Sequence, residues 1–225
     1  MSGLNLSAFD VIGPVMVGPS SSHTAGAARI GLTARRLLGA APQRARIGLH
    51  GSFAATGKGH ATDRALVAGL LGESPDSASL PTALERAPTA GLVVEFFRLD
   101  LGDSAHPNTA LLELEGTGRS LTLTAASLGG GVVVVVALDG HAVHFNCARP
   151  TLVSWHADRA GYLAALTATL AYAGVNITTL STTRKNRGGE ALTVVEIDDA
   201  FPPSVATIIG AMEGVSRVVI LPAQP

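Results

Sequence analysis

The pattern of apolar and polar positions is clearest in the last third of the chain. Residues 151–156 read as a short strand. Residues 162–173 then switch to helical spacing, with Leu163, Leu166 and Leu170 on one stripe and Gly174 as the stop. Residues 176–183 are rich in β-branched side chains, Asn186-Arg187-Gly188-Gly189 supplies a hairpin turn, and residues 190–198 return as a strand. Pro203 opens a second helix through Met212, in the first turn where its missing N–H costs nothing, and residues 215–221 form the last strand. The order βαββαβ predicts a ferredoxin-like split unit.

The front of the chain is mixed α/β. Residues 25–38 read as a helix with Ala27, Ile30, Ala34 and Leu37 on one face and Arg29, Thr33 and Arg36 on the other. Residues 47–51 form a short strand, residues 61–71 a helix ended by Gly72, and residues 91–100, 109–116 and 119–125 further strands. Between them, residues 73–90 carry Pro75, Pro81 and Pro88 around one short helix. Residues 120–138 hold no charge, yet Gly129-Gly130-Gly131 interrupts them, and the apolar core 132–138 is too short to span a bilayer as a helix. That core reads instead as a buried strand entering an Asp139-Gly140 turn. Arg149-Pro150 then breaks the chain, which predicts one domain over residues 1–147 and a second over 151–225. The expected class is α/β in the α+β sense.

Composition narrows the function. The 225 residues are 47% hydrophobic and 15% charged, enough apolar mass for a buried core and too little charge for a disordered chain. A net charge of -1 and 4% aromatics leave neither a basic surface for a phosphate backbone nor a stacking platform, so no nucleic-acid partner is expected. The opening residues 1–10 carry no basic run, so no secretory peptide, no membrane partner and a cytoplasmic location are expected. One cysteine, Cys147, cannot form an intrachain disulfide, a Cys-rich zinc site or an iron–sulfur cluster. The seven histidines are scattered without HExxH spacing, so no metal site is expected in this chain.

The densest candidate chemistry is Gly18-Pro19-Ser20-Ser21-Ser22-His23-Thr24, which runs straight into the first helix. Hydroxyls and unpaired N–H groups at a helix start can hold a small anion such as a carboxylate, and the imidazole can act as acid, base or donor. The same residues also admit a plainer use as an N-cap in a polar loop. Gly51-Ser52-Phe53-Ala54-Ala55-Thr56-Gly57-Lys58-Gly59-His60 glances at a P-loop, but the glycine spacing is wrong and Gly59 stands where a metal-binding hydroxyl is required. It reads as a glycine-rich connection from strand to helix, with His60 and Asp63 one turn apart and able to pair. His106-Pro107-Asn108-Thr109 is a stiffened turn that offers the Asn108 amide. In the tail, Gly161 lets a ligand approach the backbone and Asn176 can meet an amino-acid head group, or both simply end a helix.

These segments together carry a resemblance. Residues 9–26, the Gly57-Lys58-Gly59-His60 stretch with Thr62-Asp63, the His106-Pro107-Asn108-Thr109 turn and Ser127-Leu128-Gly129-Gly130-Gly131 resemble, in the same order, the β chain of iron–sulfur-dependent L-serine dehydratase. Asp158-Arg159-Ala160-Gly161 and Gly174-Val175-Asn176-Ile177 resemble an ACT domain. One departure is Ala61, where the family pattern has glycine.

The resemblance implies a lyase subunit that turns L-serine into pyruvate and ammonia. A [4Fe-4S] cluster held by a separate α chain serves as Lewis acid, and no pyridoxal phosphate is used. It implies an N-terminal domain similar to the allosteric substrate-binding domain of some phosphoglycerate dehydrogenases. Ser22, His23 and Thr24 become the catalytic set, with His23 as proton shuttle or hydroxyl orienter. Ser20, Ser21, Lys58, His60, Asp63 and Asn108 bind or shape the substrate site. Gly161 and Asn176 contact an amino-acid effector where two ACT domains associate. A regulatory amino-acid-binding protein with an ACT domain and no catalytic partner is the alternative.

Overall fold

A computed structural model describes residues 15–57 and 59–224. It is an α+β protein with two sheets, and it divides into two compact units between Val136 and Ala137.

In the first unit, the sheet runs in the order β2-β1-β3-β4-β5, from β1 (Arg44–Leu49), β2 (Val93–Arg98), β3 (Thr109–Gly116), β4 (Arg119–Gly129) and β5 (Val132–Leu138). β1 pairs in parallel with β2 and antiparallel with β3, and β3 pairs antiparallel with β4. The parallel pair needs a long crossover, and the chain supplies it with helices. These are α2 (Gly51–Thr56), α3 (Thr62–Leu71), a 3-10 turn at Leu80–Thr82 and α4 (Ala83–Arg86). α1 (Ala27–Leu38) precedes the sheet and stops at Gly39, whose left-handed backbone (φ 69°) lets its N–H reach Arg35 and Arg36 carbonyls at 3.0 and 3.1 Å.

Two expectations change here. Residues 51–56 are a helix rather than a loop; the glycine at its start hid the period. Thr33 is buried, not part of a solvent face, because α1 packs against α3 as well as against the sheet. The crossing is close enough that a Cβ on Gly31 would lie 2.2 Å from the Leu66 carbonyl, and one on Gly69 2.1 Å from the Ala28 carbonyl. Small residues let the two backbones meet.

The second unit takes in the Asp139-Gly140 turn, where both residues have positive φ (48° and 77°), as a type I′ hairpin turn requires. After β6 (His141–Phe145) come β7 (Thr151–Ala157), α5 (Tyr162–Tyr172), β8 (Ile177–Arg184), β9 (Glu190–Ile197), α6 (Pro203–Gly210) and β10 (Val215–Leu221). This is the βαββαβ order expected, and the sheet order is β10-β7-β9-β8, antiparallel throughout. Leu152, Val195 and Ile197 from the sheet meet Leu166 and Leu170 of α5 and Val205 and Ile209 of α6 in one core. Among the described residues, no helix is long and apolar enough to cross a membrane.

Candidate active site at the first helix

The chain enters α1 through a wide π turn, Ser21–Gly26, a form that α-helices adopt mostly as an inserted residue near functional sites. Ser20 is its N-cap: its backbone is extended (φ -138°, ψ 123°), and its Oγ accepts the His23 N–H at 3.1 Å. Part of the plainer reading of this segment therefore holds for Ser20. The other groups reach outward. Ser21 Oγ accepts the Gly130 N–H at 3.3 Å, from the turn between β4 and β5. Ser22 Oγ lies beside Gly129, 3.5 Å from where a Cβ would stand. Thr24 is fully buried and donates its hydroxyl proton to the His60 carbonyl at 3.1 Å.

His23 is the centre of the cluster. Its Nε2 lies 3.2 Å from Ser52 Oγ and 3.1 Å from Thr56 Oγ1, side chains that stand one turn apart on α2 and therefore share a face. The ring meets Phe53 edge-on at 5.3 Å and the His60 ring at 5.0 Å. Burial pushes the His23 pKa below its ordinary value of 6.5, and the neighbouring His60 lowers it further, while the Ser52 backbone opposes both. At neutral pH the imidazole is thus held uncharged, able to take up a proton.

A second layer supports the helix start. Gly26 packs so tightly on Ser127 that a Cβ would come within 1.9 Å of Ser127 Oγ. Asn108 Nδ2 donates to the Ser127 carbonyl at 3.4 Å, and the Ser127 N–H donates to the Asn108 carbonyl at 2.9 Å. Asn108 Oδ1 and Ser127 Oγ are both buried without a hydrogen-bond partner among the described residues. Such orphaned acceptors and donors are costly in a finished core and useful in a binding site. The 106–109 turn reaches α2 as well, because Gly51 (φ 54°) leaves room for the Pro107 backbone, 2.7 Å from its missing Cβ. Arg29 ties α1 to the glycine turn through the Gly131 carbonyl at 2.9 Å.

The structure thus gathers Ser20, Ser21, Ser22, His23, Thr24 and His60 at one helix start, with Asn108 braced behind it through Ser127. It does not bring Asp63 to them. The Asp63 carboxylate accepts the Arg64 N–H at 2.8 Å and lines a separate cavity of about 390 Å³ with Phe96, Phe97 and Arg98, so the expected His60–Asp63 pair does not form. Lys58 lies outside the described residues. Gly161 (φ 89°) and Asn176 belong to the second unit, at opposite ends of α5, and both are exposed.

Ser52, Thr56 and Ser127 were not among the expected site residues. A helical reading of residues 51–56 exposes the first two, since only then do positions four apart face the same way. The chain's one cysteine is buried with φ 54°, and among the described residues no three His, Cys, Asp or Glu side chains gather to hold a metal ion. An iron–sulfur cluster does not fit this chain's own residues.

A family model described as the serine dehydratase beta chain matches residues 7–91. A probable L-serine dehydratase β chain of Bacillus subtilis (strain 168) is 37% identical over 212 residues, covering 94% of this chain and 96% of the relative. The L-serine dehydratase β chain of Peptoniphilus asaccharolyticus is 38% identical, over 92% and 94% of the two chains. This chain belongs to the serine dehydratase β-chain family. L-serine dehydratase 2 of Escherichia coli (strain K12) is 34% identical over 57% of this chain but only 33% of its own length, so the likeness there fills about a third of a longer protein. The span matched by the serine dehydratase β-chain model takes in the Ser20–Thr24 cluster, Ser52, Thr56 and His60.

Proposed function

We propose that this chain is one subunit of an L-serine dehydratase, a lyase that converts L-serine to pyruvate and ammonia. The observation that carries the reading is His23 at a helix start, its Nε2 3.2 and 3.1 Å from the hydroxyls of Ser52 and Thr56, in a chain of this family. In the proposed site the hydroxyls of Ser21 and Ser22 and the positive end of the helix hold the substrate carboxylate, with Ser20 capping the turn and the buried Thr24 tying it to the His60 carbonyl. His23 meets the reacting carbon and accepts the α proton. His23 passes that proton to the β-hydroxyl, which departs as water and leaves the enamine; this tautomerises and is hydrolysed by a second water to pyruvate and ammonia. Lys58, His60 and Asn108 shape the pocket, and Asp63 supports the α3 start.

Because no cluster fits this chain, the [4Fe-4S] group that the family resemblance implies belongs to an α chain. The reading uses no pyridoxal phosphate, no nucleic acid and no membrane, and it places the assembly in the cytoplasm. Residues 1–147 form the catalytic β-chain domain, similar to an allosteric substrate-binding domain. Residues 151–225 form an ACT domain that binds an amino-acid effector through Gly161 and Asn176. Gly161 caps the start of α5 and Asn176 follows its end. Self-association of ACT domains completes such a site.

The test is anaerobic co-expression with an α chain, followed by iron analysis and a serine-to-pyruvate assay. Iron-dependent turnover by the pair, absent from either chain alone, is the expected result. Turnover by this chain alone without iron overturns the scheme. Calorimetry with serine and related amino acids on the assembled enzyme tests the effector site, and lack of binding that G161A or N176A could alter removes it.

A further inference from the structure

The tautomer of His23 follows from counting protons. Thr56 Oγ1 carries one, and it is donated to the Ser52 carbonyl at 3.0 Å. Towards His23 Nε2, 3.1 Å away, Thr56 Oγ1 is left with lone pairs alone. A bare Nε2 would set lone pair against lone pair. A protonated Nε2 donates to Thr56 Oγ1 and shares its proton with Ser52 Oγ at 3.2 Å. The Ser52 hydroxyl proton is then free for Thr56 Oγ1 at 3.4 Å, so every close contact in the triangle holds a hydrogen. Nδ1 keeps the lone pair, and among the described residues it has no hydrogen-bond partner.

We infer that Ser52 and Thr56 are positioning residues that lock His23 as the Nε2–H tautomer and so make Nδ1 the atom that accepts the substrate proton. The inference rests on the proposed role of His23 in proton transfer. Both residues act through the ring. Their i, i+4 placement on α2 fixes the hydroxyl pair as a unit, and the Phe53 edge between them limits ring rotation.

The tautomer is read by two-bond proton–nitrogen correlation spectra of the full chain labelled with nitrogen-15 histidine, with H23Q used to assign the signals. The wild type is expected to show the Nε2–H pattern at a pH above the imidazole range. T56V keeps the side-chain shape but removes the acceptor, and is expected to move His23 to the Nδ1–H pattern or a mixture, while T56S restores it. In the assembled enzyme, T56V is expected to lower kcat about tenfold, the equivalent of about 1.4 kcal/mol, with KM within twofold. T56S recovers kcat. If T56V fails to fold, T56A removes the same acceptor and gives the same readouts in the same direction. An Nδ1–H pattern in the wild type, spectra unmoved by either substitution, or a moved tautomer with unchanged kcat each overturns the inference. H23A tests the reading beneath it separately: full turnover there removes the proton-transfer role, whatever the spectra show.

Discussion

His23 in the first unit and His156 in the second are each packed against hydroxyls, and burial lowers the pKa of each. They differ in what is left over. His156 uses both nitrogens: Nδ1–H donates to the Ala157 carbonyl at 2.9 Å, and Nε2 accepts from Thr193 Oγ1 at 2.8 Å. Its ring stacks on Tyr162 at 3.6 Å, and the Tyr162 hydroxyl donates onward to Ser154. Thr182 completes the chain to Thr193 at 2.8 Å. Nothing remains with which to meet a ligand. Among the described residues His23 uses one nitrogen, and its ring neighbours stand edge-on or tilted rather than stacked. A depressed pKa therefore marks burial in both places, and what sets His23 apart is a ring nitrogen with no partner among the described residues.

The contrast is broken most directly by H23A in the assembled enzyme. An acid–base role predicts a loss of about 10²–10⁴ in kcat, and a loss within twofold of wild type ends the distinction. G26A comes next. Its Cβ would fall 1.9 Å from Ser127 Oγ and 2.6 Å from Ser127 Cβ, so overpacking is expected to cost about 1–3 kcal/mol by denaturant unfolding, with lowered turnover. Adding S127G in the same chain should return most of both.

H156F is expected to cost about 1–3 kcal/mol by removing the hydrogen bonds to the Ala157 carbonyl and Thr193 Oγ1, while kcat stays within twofold. A collapse of turnover with intact stability there contradicts the structural role of His156. Acidification gives a further check. His23, His106 and His156 all have folded values below 6.5, so the unfolded chain takes up protons first, and stability present above that pH is lost as it falls. Denaturant midpoints should drop on going below about 6.5, and H156F should flatten the drop. A midpoint that rises with acid has the wrong sign. The smallest effect is A61G: Ala61 sits at φ 58°, a conformation glycine adopts freely, so the substitution should raise stability by about 1 kcal/mol or less.

The second unit was the more legible in sequence because its periods change where its elements change, at Gly161, Gly174 and Pro203. The helix start of the first unit was legible as composition: three serines, a histidine and a threonine in a row. What stayed hidden were relations across the fold. Ser52 and Thr56 sit behind a glycine that masks a helix. Ser127 matters only because Gly26 lies against it. Asp63 looked like a partner for His60 by spacing, yet its carboxylate turns to the N–H of Arg64 and to the cavity beside Phe97. Ala61 shows the reverse case: a departure visible in the sequence whose meaning, a left-handed cap ahead of α3, waited for the backbone.

The π turn at Ser21–Gly26 makes the reach of His23 a matter of chain length as much as of residue type. A wide turn is a helix holding one surplus residue. Deleting a single position there would restore regular winding and rotate everything ahead of it by about 100° around the α1 axis. Every serine would survive in the sequence, and His23 would point away from Ser52 and Thr56. The width of one turn is what aims the ring.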